Sequence, residues 1–161
     1  MSHSVALRSF GCVEDLELAF EGADRPSLVT AVLARCSAAS DPEFWWAQTV
    51  GSRIAALSRL LAASGEGDAL TVSFDCPRPD CGEPFEVAVG FAALADLAEA
   101  DLPIAMTLAD GRSLALRLPT GRDLHDWQHA PWTSRHEAVS AMIAALCVDV
   151  EARPGDEASI D

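Results

Sequence analysis

The 161 residues carry 25 acidic and 11 basic side chains, a formal net charge of −14, and half of them are apolar. That balance excludes a disordered chain, suits one domain with its own core, and supplies none of the roughly 20-residue apolar runs of a membrane helix. Nucleic-acid binding needs a basic face that releases counterions, so the acidic surface argues against DNA or RNA and for basic protein partners.

The start, Met-Ser-His-Ser-Val, lacks the basic region and apolar core of a signal peptide. Synthesis and folding in the cytoplasm, with later incorporation into an assembled particle left open, is the expectation. Val5 to Phe10 fits a short strand, and Val13 to Glu21 fits helix or strand equally. Pro26-Ser27 opens a predicted helix through Cys36, with Leu28, Val32 and Cys36 on one face at four-residue spacing.

Asp41-Pro42-Glu43 is a helix start. The aspartate caps an orphan amide, proline at the first helical position loses nothing, and glutamate suits the positive helix end. A long helix is predicted from there to about Ser64, stopping at Gly65-Glu66-Gly67, with Trp46, Val50, Ile54, Leu57 and Leu61 as its buried stripe. Gly51 in its middle costs about 1 kcal/mol against alanine, which points to close approach by a neighbouring element.

A hairpin follows. Leu70, Val72 and Phe74 alternate with polar residues into Cys76-Pro77-Arg78-Pro79-Asp80-Cys81-Gly82, and Phe85, Val87 and Val89 alternate out of it. Phe91 to Ala100 reads as a short helix burying Phe91, Leu94 and Leu97. Ile104, Met106 and Leu108, then Asp110-Gly111, then Leu114, Leu116 and Leu118 make a second hairpin, because Asp-Gly supplies the positive φ of a tight turn. Thr120 with Asp123 forms a capping-box pattern for a brief helix ending before Pro131. Ser134 with Glu137 repeats it and starts a final helix to about Val148, with Val139, Met142, Ile143 and Leu146 facing the core. The predicted fold is α+β: two antiparallel β-hairpins packed against a long central helix and a C-terminal helix. Residues 1–149 form this single domain, and 150–161 a disordered acidic tail.

Two thiols on one turn are half of a zinc site or a local disulfide. A structural zinc takes four ligands, so Cys76 and Cys81 need two more. His3, His125, His129 and His136 are available, His125 and His129 at i, i+4 on one helix face. Two copies of the hairpin sharing a metal would supply four thiolates. The alternative is a proline-stiffened peg, Pro77, Arg78, Pro79 and Asp80, that contacts a partner and holds no metal. The other three cysteines, Cys12, Cys36 and Cys147, lie in apolar surroundings and read as buried free thiols, in keeping with a reducing compartment. His125, Trp127, His129, Trp132 and His136 lie within twelve residues. This is either a docking flank of amphipathic rings or a cap on the core.

No Gly-rich phosphate loop, G-x-S-x-G elbow or His-Glu-x-x-His is present. Asp123, His125 and Asp126 would make an acid–base group, but helix capping explains aspartate there. No enzyme is expected.

Gly51-Ser52-Arg53-Ile54 leading to Leu57 and Leu60-Leu61, then Cys76-Pro77 with Cys81-Gly82, then Leu116-Arg117-Leu118-Pro119-Thr120-Gly121-Arg122-Asp123-Leu124 and a last helix with Cys147 come in a telling order. In this order residues 41–149 resemble the small baseplate-associated, hub-like proteins of contractile phage tails and bacterial contractile injection systems. In that family the turn reads Cys-Pro-x-Cys-Gly, and this chain places two further residues between the cysteines. The resemblance implies a non-enzymatic structural or assembly role, with other baseplate, hub or tube proteins as partners. The alternative is a stand-alone zinc-knuckle binding module with a regulatory role.

Overall fold

The computed structural model describes residues 5–38, 41–65, 67–95, 104–108, 111 and 113–148. The chain is α+β, as the hydrophobic periodicities predict, with helices α1 (Arg25–Cys36), α2 (Pro42–Ala47) and α3 (Val50–Ala63) preceding the first hairpin. That hairpin is β1 (Ala69–Asp75) and β2 (Pro84–Gly90), followed by α4 (Phe91–Ala95). The second is β3 (Ile104–Thr107) and β4 (Ser113–Leu116), then α5 (Gly121–His129), α6 (Arg135–Leu146) and β5 (Cys147–Val148). The expected acidic tail, His3, Leu97 and Asp110 lie outside the described residues.

The predicted long helix is two helices. Gln48 and Thr49 leave helical geometry, and the Thr49 side chain accepts the Ser52 amide hydrogen to cap α3. The freed backbone does not go unpaired. Thr49 bridges Thr120, the Val50 amide donates to the Pro119 carbonyl at 2.9 Å, and the Gly121 amide donates to the Gln48 carbonyl at 3.1 Å. The break therefore creates a short antiparallel seam that docks the start of α5. It also resets the buried face. Arg53, Ala55, Ala56, Ser58 and Leu60 are buried, whereas Ile54 is exposed and Leu57 and Leu61 are half-buried. Gly51 thus sits in the first turn of α3 and not in mid-helix.

The core lies among α1, α2, α3 and the N-terminal segment. Leu33, Ala34, Trp45 and Ala56 pack together with Val5, Leu7 and Phe44 against them. Val32, Cys36 and Leu60 form a second group with Leu28, Phe10 and Leu18, so the predicted α1 face is the buried one. The N-terminal segment is a bridge and a turn, not a full strand or helix. Leu7 bridges Ser37, and Val13–Glu17 form a single 3-10 stretch. Buried Asp15 closes that turn by accepting the Gly11 and Cys12 amides and a two-pronged ion pair from Arg8. Of the three cysteines expected inside, only Cys36 is buried. Cys12 sits in the exposed turn and Cys147 on exposed β5.

The first hairpin pairs Leu70 with Val89, Val72 with Val87 and Phe74 with Phe85, so all six apolar side chains share one face. The final helix is shorter than predicted. Cys147 and Val148 leave it to pair with Leu116 and Ala115 and add a third strand to the second hairpin. The predicted α6 core face also fails, because Val139 and Ile143 are exposed and Met142 and Leu146 only half-buried. Among the described residues no helix is long and apolar enough to cross a membrane.

Candidate functional site

The cysteine loop stands at the tip of β1–β2. The Cys76 amide donates to the Glu83 carbonyl at 3.0 Å, the Cys81 amide donates to Arg78 at 3.1 Å, and Gly82 takes the left-handed backbone that closes the turn (φ 59°). Pro77, Arg78, Pro79 and Asp80 are all exposed. Cys76 and Cys81 are both free thiols. A hydrogen bond from the Glu83 backbone, and then one from the Cys76 thiol, lower the pKa of Cys81 by favouring its thiolate. Among the described residues, no third histidine, aspartate, glutamate or cysteine joins this pair at ligand spacing.

The histidines gather elsewhere. His125 and His129 lie on successive turns of α5 with ring centroids 4.4 Å apart, and Asp24, the N-cap of α1, faces them. The ligand atoms of these three residues all lie within 4.8 Å of one another, a possible metal-binding triad. His129 Nε2 is 3.9 Å from Asp24 Oδ2. Burial pushes the Asp24 carboxyl up, but two hydrogen bonds from Ser27 and the nearby imidazoles outweigh it, and the net shift is downward. Asp123, by contrast, is not part of an acid–base group with His125. Its carboxylate accepts two bonds from Arg117, at 2.6 and 2.7 Å, and closes the Thr120 capping box.

The two tryptophans of the flank meet at one corner. Trp127 and Trp132 are half-buried, and Trp132 Nε1 donates to the Trp127 carbonyl at 2.7 Å, which fixes the α5–α6 corner. His136 is exposed. Beneath α5 lies Arg53, 4% exposed, donating to the Trp45 and Pro26 carbonyls and to the Thr30 hydroxyl. Its guanidinium lies 5.3 Å from the Trp46 ring centroid, and Trp46 in turn meets His125 edge-on at 5.3 Å. A Cβ at Gly121 would fall 1.4 Å from Arg53 Nη1, so the glycine of the α5 entry exists to admit that cation. The close approach that sequence assigned to Gly51 is found here.

No family model, curated protein or solved structure matches this chain. The remaining surfaces are read from their own chemistry. An apolar hollow of about 330 Å³, lined by Phe10, Val13, Leu16 and Phe20 among others, belongs to the N-terminal turn and not to the cysteine loop. A second apolar surface is the β1–β2 face, where Leu70, Phe74, Phe85 and Val87 are 39–50% exposed and the two phenylalanine rings stack at 5.7 Å. Sequence reasoning found this alternation but expected a helix over it. It missed Asp24 as a site residue altogether, since an aspartate before Arg-Pro-Ser reads completely as a helix cap. The i, i+4 histidines were the one available signal.

Proposed function

We propose that this protein is a non-enzymatic structural or assembly component that works by docking other proteins. Its proposed setting is the baseplate of a contractile phage tail or contractile injection system, the setting that the order of features in residues 41–149 implies. The observation that carries the docking reading is the uncovered apolar face of the first hairpin. Four of its six aligned apolar side chains, Leu70, Phe74, Phe85 and Val87, are exposed together on a two-stranded arm, which exceeds the scattered surface apolars of ordinary soluble chains. The arm carries Asp68, Asp75, Asp80, Glu83 and Glu86 against the single Arg78, with Asp75 and Glu86 on the face opposite the apolar one. The complementary partner therefore has an apolar strand or helix face rimmed by lysine or arginine. The stiff Cys76–Cys81 tip sits at the end of the same arm and sets where it lands, with the Trp127–Trp132 corner as a secondary contact.

The zinc-knuckle alternative rests on the hydrogen-bonded thiols of Cys76 and Cys81, and two copies of the hairpin would complete four ligands. Zinc-dependent dimerisation in size-exclusion chromatography would favour it.

Co-purification with tube, hub and sheath proteins encoded nearby tests the main reading. The full chain should retain at least one of them, and the paired change Phe74→Ser with Phe85→Ser should weaken that complex about thirtyfold, the equivalent of about 2 kcal/mol of lost apolar burial. Absence of any association in a genome neighbourhood without tail genes would overturn it.

A further inference from the structure

We propose that Asp24, His125 and His129 form a zinc site that clips the start of α1 to α5 and leaves a fourth coordination position open. The inference stands apart from the docking role. Two imidazoles and a carboxylate make the nitrogen–oxygen donor set that zinc takes when it has three protein ligands and one exchangeable one. The thiol pair, with two ligands, offers less.

The donors are already oriented. His129 Nδ1 lies 2.8 Å from the His125 backbone carbonyl. A carbonyl only accepts, so Nδ1 carries the proton and Nε2, the atom nearest Asp24, carries the lone pair in the neutral ring. A second ring contact holds His125, whose Nδ1 is 3.3 Å from Asp126 Oδ1. Asp24 is held at both oxygens, Oδ1 accepting the Ser27 amide at 2.9 Å and Oδ2 its hydroxyl at 2.7 Å. Outer contacts of this kind, carbonyl or carboxylate behind imidazole, are what fix ligands around a metal.

Spacing also suits the ion. Ligands at about 2.0–2.1 Å from a tetrahedral zinc lie about 3.3–3.4 Å apart. Asp24 Oδ2 and His129 Nε2 stand at 3.9 Å, and the whole triad within 4.8 Å. Closing that gap needs only a small shift of the His129 side chain, which is 53% exposed, toward Asp24, which is 15% exposed and held by Ser27. On the inner side the Trp46 ring walls the site against His125, and Arg53 and Arg122 lie over that ring at 5.3 and 5.5 Å and not among the ligands. With His129 53% exposed, water or a ligand from a partner would supply the fourth donor.

The test uses the untagged full chain carrying Cys76→Ser and Cys81→Ser, which removes the thiols as competing ligands. Isothermal titration with zinc chloride should show one equivalent bound, with a raised melting temperature. Adding His129→Gln should weaken binding at least about tenfold and abolish the thermal shift while leaving the circular dichroism spectrum unchanged. Cobalt(II) in place of zinc should give visible d–d bands without thiolate charge transfer, and the bands should vanish with His125→Gln. Failure of the Cys→Ser chain to bind zinc, or binding unchanged by His125→Gln and His129→Gln together, would overturn the site. Either result leaves the partner assay above untouched.

Discussion

Arg53 shows how one buried charge can organise several elements. Among the described residues it has no carboxylate partner, and desolvation lowers its pKa, yet its hydrogen bonds reach α1 and α2 from α3 and its guanidinium fills the place of a side chain on α5. A buried cation is tolerated when its donors are satisfied and an aromatic face lies alongside. Arg53→Ala should destabilise the fold by about 2–4 kcal/mol, since it empties a buried site and removes the bonds to the Trp45 and Pro26 carbonyls and the Thr30 hydroxyl, although Thr30 still donates to Pro26. Gly121→Ala should cost about 1–3 kcal/mol by overpacking. Urea denaturation of the double variant should show less than the sum, because the first change removes the obstacle to the second. The thiols separate at the same scale. Glu83 and Cys76 favour the thiolate of exposed Cys81, while burial pushes the Cys36 thiol up. Alkylation at neutral pH followed by mass spectrometry should therefore label Cys81 well before Cys36.

At the scale of elements, the first hairpin stands outside the core, as do exposed Ile104 and Met106 of β3 and Val139 and Ile143 of α6. Its ladder is complete from Ala69–Gly90 to Asp75–Pro84, but its apolar face takes no part in either core group. Replacing Phe74 and Phe85 with serine should consequently leave the melting temperature within a few degrees of the parent while weakening partner binding. A large loss of thermal stability in circular dichroism would instead assign the face to the fold. The α2–α3 break follows the same logic of local and distant demands. Thr49 and Ser52 supply a cap, and the antiparallel seam with Pro119–Gly121 makes the interrupted helix worth keeping.

Across the whole molecule, acid should unfold the chain by a route the ion pairs define. Asp123, held by Arg117 and then by Thr120, has its carboxyl lowered from 3.8 to about 2, and Arg8 holds Asp15 lower still. Between those values the unfolded chain binds protons that the folded one does not, so stability is full above about pH 5 and declines as pH falls toward 2. Solvent screening at half-exposed Arg117 leaves about 1 kcal/mol of this at Asp123. Asp123→Asn should flatten the pH dependence of the urea midpoint over that window and change it little at pH 7 beyond a constant offset. Arg117 also donates to the Ala145 carbonyl at 3.1 Å, so the same ion pair ties the segment after β4 to α5 and α6.

The amino-acid pattern alone determined the α+β class, both hairpins and the N-caps at Asp41, Thr120 and Ser134, because caps, turns and period-two alternation are set by near neighbours. It also located the exposed thiol tip and the pair of histidines on one helix face. It did not determine the helix break at Gln48, the shortened α6 or the inward turn of Arg53. Each of those depends on a partner far along the chain: Pro119–Gly121 for the break, Leu116 for β5, Pro26 and Thr30 for the arginine. Asp24 joined the histidines only in three dimensions. Its local role as a helix cap is complete without them, and only the packing of α1 against α5 brings a hundred residues of separation down to 3.9 Å.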